Sequence, residues 1–486
     1  MEWKGYADFG IQCCIDECKG EIESHGERPY RVRIARASTH EGPRMRRAAI
    51  GVILSTCLAN YSALGGMRFV TVRTIDEGTL RPFFGDSIHF FESPPSIEHG
   101  LVVVHVREGG GAGPEGILAL DAGNLVTILG EADFDLDSPS TFSRVTAPTV
   151  DGNHAHFAAL YGEYVGLGIY PNAIFRWNGN SVEPIMGEAT PVAGYSGSII
   201  EVRNPSCQDD GCVFIGTLFQ NWVSTNGLWR LRGQSIEPIV VQGDPIPNSP
   251  NYFEGFSVSS ADGENVVFIA SDDSGDRAIC TAIGDQVSVE YSRGTGVAGN
   301  LATYHTFGGT AISGQDIVFH AAEPGTDHRA IFARIAGQLQ VVAEGGDLSP
   351  TPAIENERVV YAADGGLYVW EDGVRHVAIA PGTFLDGVRV LGFAVSKNGF
   401  DGDQIAAQAL FDGELDALYT ISLCTDIVAG DVNGDDVVTI DDVPGLVAAI
   451  LTPASMTSAV ACGADANLDG QLNGADLQAF VEILGS

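Results

Sequence analysis

The chain has 486 residues, of which 26 are basic and 63 are acidic, so its formal net charge is −37. This charge excludes a basic surface for nucleic acid and disfavours contact with an anionic membrane, so we expect neither partner. The length predicts a large body with at least one smaller domain, and the 61 glycines predict many turns. Because no long apolar stretch occurs, we expect no transmembrane helix in the mature chain.

A secretory signal peptide is predicted at 45–66, inside the chain rather than at its beginning. Met45, Arg46 and Arg47 form a basic start, and an apolar run with small residues follows. The preceding segment, 1–44, shows no clear periodicity, and we interpret it as a mis-assigned, disordered upstream leader. A genuine long leader and a small cysteine cluster that binds metal are the alternatives. The signal peptide predicts a secreted or cell-surface protein.

An apolar strand pattern recurs seven times along the body of the chain. A second strand pattern follows each copy, and a third pattern, usually ending in glycine and an acidic or turn residue, follows six of them. Four short strands in each unit of about 40–50 residues are typical of a β-propeller, whose blades bury their faces against each other. We therefore predict a mainly β, seven-bladed propeller over 67–423. The seven apolar strands are predicted at 100–106, 153–160, 211–218, 264–271, 315–322, 357–364 and 403–410.

The ring is predicted to close through an N-terminal strand, because the seventh repeat lacks its third strand. We assign that strand to 80–86, which resembles the third strands of the other repeats. The strand pattern at 68–74 has no place in this scheme, so rings of six and eight blades stay open as alternatives. An array of β-sandwiches is a weaker one. The apolar strands are expected to line the inner region of the ring.

Five cysteines remain after the predicted signal peptide. Cys207 and Cys212 flank a four-residue turn, and in an exported chain we expect a disulfide that closes this hairpin. Cys424 and Cys462 each precede an acidic loop and are candidates for a second disulfide. Cys280 is then unpaired, and we expect it to be buried.

Two twelve-residue acidic loops, 431–442 and 465–476, have the oxygen spacing of calcium sites. Calcium takes about six to eight oxygens, which loop positions 1, 3, 5, 7, 9 and 12 supply, position 7 through its backbone carbonyl. Positions 1, 3 and 5 are Asp, Asn and Asp in both loops, so we predict two bound Ca²⁺ ions. The predicted ligands are Asp431, Asn433, Asp435, Val437, Thr439, Asp442, Asp465, Asn467, Asp469, Gln471, Asn473 and Asp476.

Apolar residues at helical spacing follow each loop, so each unit is a loop plus a helix, and the units lie 34 residues apart. Over 424–486 this arrangement closely resembles a type I dockerin, α-helical and EF-hand-like, with aspartate at position 12. Because this segment is rich in acidic residues and has no Lys or Arg, we expect its folding to be coupled to calcium. The resemblance implies a cohesin-like or other cell-surface protein as partner. Asp436 replaces the turn glycine of the first loop, so we expect the first site to be the weaker one.

The pattern G-x-x-[VIA]-x-F-x-A at 263–270 and 314–321 resembles a tandem-repeat family of exported bacterial proteins. The resemblance implies export and a propeller-like fold, and it implies no reaction. We predict an exported, non-catalytic propeller that binds a ligand, protein or glycan and is attached through its calcium-binding tail. The alternative is a dockerin-bearing carbohydrate-active enzyme of polysaccharide catabolism, a glycoside hydrolase or polysaccharide lyase.

No catalytic residue can be assigned from the sequence. His154 and His156 lie on the same face of a strand, a spacing that suits a metal, although packing in the core or a groove is the stronger interpretation. Four aromatic side chains either stack on sugars or pack between blades: Trp177, Trp222, Trp229 and Trp370.

Overall fold

The structure is a computed structural model. It describes residues 67–76, 88–108, 115–121, 123–130, 142–161, 172–187, 189–208, 211–292, 304, 306–323, 325–345, 347–412, 416–425, 427–453 and 456–485. The predicted leader, the predicted signal peptide and the strand predicted at 80–86 lie outside these residues. Within the described part of the chain, no helix is long and apolar enough to cross a membrane.

Seven antiparallel sheets follow one another along the chain, which confirms the mainly β, seven-bladed propeller. The N-terminal strand is β1 (Arg68–Asp76). Blades 1 and 2 comprise β2 (Ile88–Phe91), β3 (Ser96–Glu98), β4 (Leu101–Glu108), β5 (Glu115–Asp121) and β6 (Asn124–Leu129), then β7 (Phe142–Val145), β8 (Thr149–Asp151), β9 (His154–Tyr161), β10 (Ala173–Trp177) and β11 (Val182–Met186). Blades 3 and 4 comprise β12 (Ser198–Gln208), β13 (Gly211–Gln220), β14 (Val223–Arg232) and β15 (Ser235–Val241), then β16 (Phe253–Asp262), β17 (Asn265–Asp272), β18 (Arg277–Ile283) and β19 (Gln286–Ser292).

The remaining blades follow the same plan. Blades 5 and 6 comprise β20 (Thr306–Ser313), β21 (Asp316–Ala322), β22 (Arg329–Ile335) and β23 (Gln338–Gly345), then β24 (Ala353–Glu355), β25 (Arg358–Ala363), β26 (Gly366–Glu371) and β27 (Val374–Ile379). Blade 7 comprises β28 (Phe384–Leu385), β29 (Val388–Asp401), β30 (Gln404–Phe411), β31 (Ala417–Cys424) and β1.

The strand β1 closes the ring as the outermost strand of blade 7. It pairs antiparallel with β31, with Arg68 opposite Cys424. The assignment of this position to 80–86 is therefore wrong, because β1 already occupies the edge of β31. Alternation explains the pairing, since Val70 and Val72 point to a buried face of the blade. Placing β1 here also accounts for the strand pattern that left the blade count open.

The apolar strands are the second strands of their blades rather than the lining of the ring. In β17, Val266 and Phe268 pack into one core cluster, shared with blade 3, while Val267 and Ile269 pack into another, shared with blade 5. Both faces of the strand are thus buried between blades, which is why the pattern is continuously apolar. The expectation that these strands line the centre is corrected, because a more polar strand lies inside each of them.

Three short helices follow the propeller and form the tail. They are α1 (Val443–Leu451), α2 (Ser458–Ala464) and α3 (Gly474–Leu484), and a 3-10 turn, Ile440–Asp442, precedes α1. The helices pack on a small core that includes Leu446 and Phe480. A helix therefore follows each acidic loop, as the periodicity predicts.

The tail is docked on blade 7. A disulfide joins Cys424 at the end of β31 to Cys462 in α2. The Ser458 hydroxyl donates to the carbonyl of Asp403 at 3.2 Å, and the Gln404 amide donates to the carbonyl of Met456 at 3.4 Å. Tail and propeller thus share covalent and polar contacts within one blade.

The other cysteines lie in blades 3 and 4. Cys207 and Cys212 face each other across the β12–β13 hairpin and form a disulfide. Cys280 is buried, and burial raises the pKa of its thiol to about 12. A thiol held neutral in this way is a poor nucleophile.

Candidate functional site

A cavity of about 350 Å³ lies at the centre of the ring, where the inner strands of the blades meet. Its walls are short hydroxyl side chains, prolines, glycines and backbone, and all seven blades contribute. Among the described residues that line it there is no Asp or Glu. One lining residue from each blade, in chain order, is Ser96, Thr149, Asn204, Ser259, Thr310, Thr351 and Lys397.

An irregularity in the inner strands brings these residues to the cavity. In β16 the pairing register shifts between Ser257 and Ser259, and comparable shifts occur in β12, β20 and β29. A bulge of this kind re-aims side chains and frees backbone groups. Asn204 and Val258 adopt left-handed backbone, with φ of 49° at each. For a β-branched residue such as Val258 this conformation is costly, and strain of this kind is concentrated at functional sites.

Lys397 crosses the cavity from blade 7 to blade 4. Its ammonium group donates to the backbone carbonyl of Ser259. Burial lowers the pKa of Lys397 from 10.5 to about 8, and no neighbouring charge contributes to the shift. The chain has two further lysines, Lys4 and Lys19, both in the segment before the described residues. A solitary, partly desolvated ammonium therefore lies in the centre of a strongly acidic protein.

Several of the described polar groups in and behind the wall of the same cavity have no hydrogen-bond partner. The hydroxyls of Thr149 and Thr310 are buried and have no hydrogen-bond partner in the described structure, and the residues are 3% and 0% exposed. Behind Gly308, which lines the cavity, both ring nitrogens of His320 also lack a partner. Burial lowers the pKa of His320 to about 4, so the ring is neutral at physiological pH.

The histidine pair of β9 lies close to the same cavity. His156 is opposite Thr149 in the β8–β9 pairing, and burial lowers its pKa to about 3. Its ring centroid is 6.4 Å from that of His154. Within the described residues, no group of three or more His, Cys, Asp or Glu side chains is arranged to hold a metal. His156 therefore belongs to the buried wall behind Thr149.

Five carboxylates mark one end of the ring, at the turns between inner and second strands. We call Glu98, Asp151, Asp262, Glu355 and Asp401 the acidic ring. Asp401 accepts from the N–H of His99 at 2.6 Å, and Asp262 accepts from the N–H of Gly314. Both bonds join neighbouring blades, so these acids tie the ring together.

The carboxylates of the acidic ring also repel one another. Burial, followed by the charges of Asp151 and Asp401, raises the pKa of Glu98 to about 7, against a hydrogen bond from Gly152. Burial and the charges of Asp262 and Asp401 raise the pKa of Glu355 as well. Part of this ring is thus protonated near neutral pH.

The two acidic loops of the tail fold with matching internal hydrogen bonds. Asn433 accepts from the N–H of Asp435 at 2.9 Å, and Asn467 accepts from the N–H of Asp469 at 2.9 Å. The position 1 acids, Asp431 and Asp465, likewise accept from backbone N–H groups four and five residues later in their loops. Val437 and Gln471, which offer their carbonyls, are both exposed.

The acids at position 12 close each loop. Asp442 accepts from the N–H of Thr439 and Asp476 from that of Asn473, both at 2.8 Å. Thr439 and Asn473 are in turn the N-caps of the 3-10 turn and of α3, in capping boxes. Four loop carboxylates are at most 4% exposed, and 424–486 contains no Lys, Arg or His to balance them: Asp431, Asp442, Asp465 and Asp476.

The loops differ in electrostatics and in backbone strain. Burial and the charge of Asp476 raise the pKa of Asp465 to about 6, whereas in the first loop hydrogen bonds from the backbone outweigh burial and lower the pKa of Asp442. Each loop also carries one residue other than glycine in left-handed backbone: Asp436 at φ 65° and Leu468 at φ 60°. The sequence drew attention to Asp436 alone.

The second loop contacts the propeller directly. Gln471 forms a β-bridge with Thr71 of the closing strand β1. The neighbouring position 8 residues of the loops, Val438 and Leu472, both pack against the tail core.

The tryptophans fall into two groups. Trp177, Trp229 and Trp370 are buried in core clusters between blades, so they pack rather than offer surfaces for sugars. Trp222 lies in the β13–β14 turn and is 88% exposed.

Sequence reasoning missed the cavity at the centre. The only signal that pointed to it was the single lysine of the propeller, Lys397, in a body that otherwise uses arginine for positive charge. At one end of the ring the carboxylates bond to the neighbouring blades, and further along the inner strands lies an ammonium.

The chain is similar, at low sequence identity, to several solved structures. Among solved structures, the chain is similar to an oligogalacturonate lyase in complex with manganese (11% identity, TM-score 0.43, covering 74% of this chain and 97% of that one). It is also similar to a puromycin-hydrolyzing peptidase of Mycobacterium tuberculosis (12%, TM-score 0.42, 70% and 53%) and to the β-propeller domain of the Trilobed protease from Pyrococcus furiosus (12%, TM-score 0.41, 70% and 96%).

No curated protein matches the sequence. Residues 97–277 match the sequence model of a family of unknown function (DUF7453). This stretch runs from β3 in blade 1 to the start of β18 in blade 4 and covers less than half of the chain.

Proposed function

We propose that this protein is an exported, non-catalytic binding protein, in which the propeller takes a ligand in its central cavity and the tail attaches it through two calcium sites. The observation that carries the proposal is the cavity itself, a mainly apolar pocket with a few polar groups, built by all seven blades around Lys397. Concave pockets with a few convergent polar groups are the usual form of a ligand site.

The donor chemistry of the tail supports calcium. Each loop offers carboxylate, amide and carbonyl oxygens at the spacing of a twelve-residue calcium loop, and no nitrogen or sulfur ligand. Buried carboxylates without cations to balance them destabilise a fold, and a bound dication relieves that cost. Asp431, Asn433, Asp435 and Asp442 would hold the first ion with the carbonyl of Val437, and the matching residues would hold the second. Because the carboxylates of the described loops are not already gathered as a metal site, they would draw together when calcium binds.

Attachment and export are supported by separate features. The exposed sides of α1 and α3 carry apolar residues, including Leu451 at 74% and Val481 at 66% exposure, which suit a cohesin-like or other cell-surface protein. Two disulfides suit an oxidising exterior, in agreement with the predicted signal peptide.

Calorimetric titration of the chelated full chain with Ca²⁺ tests the tail. Two binding events are expected, and Asp442→Ala or Asp476→Ala should each abolish one of them. Asp441→Ala is the matched control, because Asp441 is an exposed acid beside the same loop position. Absence of any calcium-dependent heat or stabilisation in the parent chain would overturn this part of the proposal.

A glycan array and a polysaccharide degradation assay test the propeller. Binding without turnover is expected. Release of oligosaccharides by the purified chain would favour instead the carbohydrate-active enzyme, a hydrolase or lyase carried by the same tail.

A further inference from the structure

We propose that the central cavity binds a small hydroxylated carboxylate, with its carboxylate on the Lys397 ammonium and its hydroxyls on Thr149 and Thr310. This inference rests on the proposed binding function and names the chemical class of the ligand.

The first argument is charge. The Lys397 ammonium has three donors, and the carbonyl of Ser259 takes one of them. No carboxylate occurs among the described residues that line the cavity, so the charge has no counter-ion there. Burying an ammonium without a counter-ion is unfavourable, and burial alone lowers its pKa to about 8. An anionic ligand would supply the missing negative charge and accept hydrogen bonds from the two remaining N–H donors.

The second argument is the pair of buried hydroxyls. Thr149 in blade 2 and Thr310 in blade 5 are nine-tenths or more buried, line the cavity and have no partner for their Oγ1 atoms. Other hydroxyls of the lining are already used, since Ser96 donates to the carbonyl of Pro148 at 2.9 Å and Thr351 to that of Val395 at 2.7 Å. Two free hydroxyls together with an ammonium match a molecule that bears both a carboxylate and alcohols.

The third argument is size. A volume of about 350 Å³ lies at the small end of ligand pockets, which favours a small molecule over a polymer chain. The acidic ring lies at the ends of the inner strands, with Asp262 three residues beyond Ser259 in β16. Three residues of strand place the backbone of Asp262 about 10 Å from that of Ser259, to which the ammonium is bonded.

The experiment uses the single lysine of the propeller. Reductive ¹³C-methylation of the full chain gives a dimethyl-lysine NMR signal for Lys397, assigned as the signal that Lys397→Arg lacks. Gluconate, a hydroxylated carboxylate, is expected to shift this signal, whereas acetate and glucose, which each lack one of the two features, shift it less. Unmethylated protein is titrated in parallel by calorimetry.

Variants then separate the outcomes. Lys397→Met is expected to weaken gluconate binding at least tenfold and Thr149→Val with Thr310→Val severalfold, while Arg232→Met, which removes an exposed charge of blade 3, leaves it unchanged. Gluconate binding that survives Lys397→Met would overturn the proposal. Binding of neutral glycans or of a protein with no response to any carboxylate would also overturn it, yet would leave the proposed binding function standing. The melting temperature of each variant establishes that it is folded.

Discussion

Thr71 of the closing strand donates both its backbone N–H and its hydroxyl to the carbonyl oxygen of Gly470, at 2.8 and 3.0 Å. Gly470 is position 6 of the second acidic loop, and its own N–H donates to Asp465 at 3.2 Å. The same short segment therefore touches a predicted calcium ligand and the strand that closes the propeller. Order in the loop and closure of the ring are coupled by these bonds.

Thr71→Val tests this coupling. The substitution removes the hydroxyl bond and keeps the backbone bond, so we expect the free energy of unfolding to fall by about 1 kcal/mol. Thr74→Val is the matched control, because it removes a 2.8 Å hydroxyl bond from the same strand to the carbonyl of Leu418, away from the loop. Only Thr71→Val should also weaken calcium binding, severalfold, since coupling acts in both directions. Equal calcium titrations for the two variants would refute the coupling.

The left-handed residues of the loops predict two stabilising substitutions. Leucine in this conformation costs about 1–2 kcal/mol, and Leu468 is 44% exposed, so little burial is lost on its removal. We expect Leu468→Gly to raise the free energy of unfolding by about 1 kcal/mol, after the entropic cost of glycine. Asp436→Gly should raise the free energy of unfolding by a smaller amount, because aspartate tolerates the left-handed backbone better than leucine does. Chemical denaturation in excess calcium measures both, and a larger gain from Asp436→Gly would contradict the ranking.

Lys397→Met is expected to stabilise the protein near neutral pH. The pKa of Lys397 is about 8 in the folded chain against 10.5 as the reference, so the unfolded chain binds more protons between these values. The free energy of unfolding of the parent should therefore rise as pH increases from 8 to about 10.5. Below pH 8 the buried charge of Lys397 lowers that free energy by its full amount, up to about 3 kcal/mol. The variant should melt higher at pH 7, with the difference shrinking by pH 10. A variant that melts lower at pH 7 would show that the bond to Ser259 outweighs burial.

Glu98→Gln is expected to stabilise the protein at high pH, whereas Lys397→Met stabilises it at lower pH. The folded pKa of about 7 lies above the reference value of 4.5, so the neutral carboxyl of Glu98 contributes stability that is complete below pH 4.5 and is lost as pH rises through 7. The variant should match the parent at pH 4.5 and exceed it by about 1–2 kcal/mol at pH 8, once solvent screening is allowed for. Urea denaturation at the two pH values measures this. Glu254→Gln, which replaces an exposed acid of β16, is the matched control for the loss of one carboxylate.

The blades were predictable because burial on both faces leaves a continuous apolar signature. Val266, Val267, Phe268 and Ile269 are all buried, and each of the seven predicted apolar runs overlaps the second strand of a blade. The closing strand was harder to predict, since its pairing joins residues such as Arg68 and Cys424 that lie far apart in sequence. Local patterns at 68–74 and 80–86 look equally strand-like, and only tertiary pairing distinguishes them.

The cavity was not predictable from patterns. Inner strands are short or interrupted by register shifts, so residues such as Ser259 and Thr310 follow no regular alternation. Lys397 reaches Ser259 across the ring over 138 positions of sequence, a contact that no motif encodes. The acidic loops are the reverse case, because their ligand spacing is local and can be read directly from Asp431 onward, although the calcium itself stays a prediction.

The position of the tail on blade 7 has a consequence for orientation. Asp403 and Gln404, which contact the tail, belong to the same hairpin as Asp401 of the acidic ring. The tail therefore leaves the propeller at the end that carries the carboxylates, and the cavity residues Ser259 and Lys397 lie only three and four residues before the acids that end their strands. A propeller tethered through this tail would stand with its acidic rim toward the support.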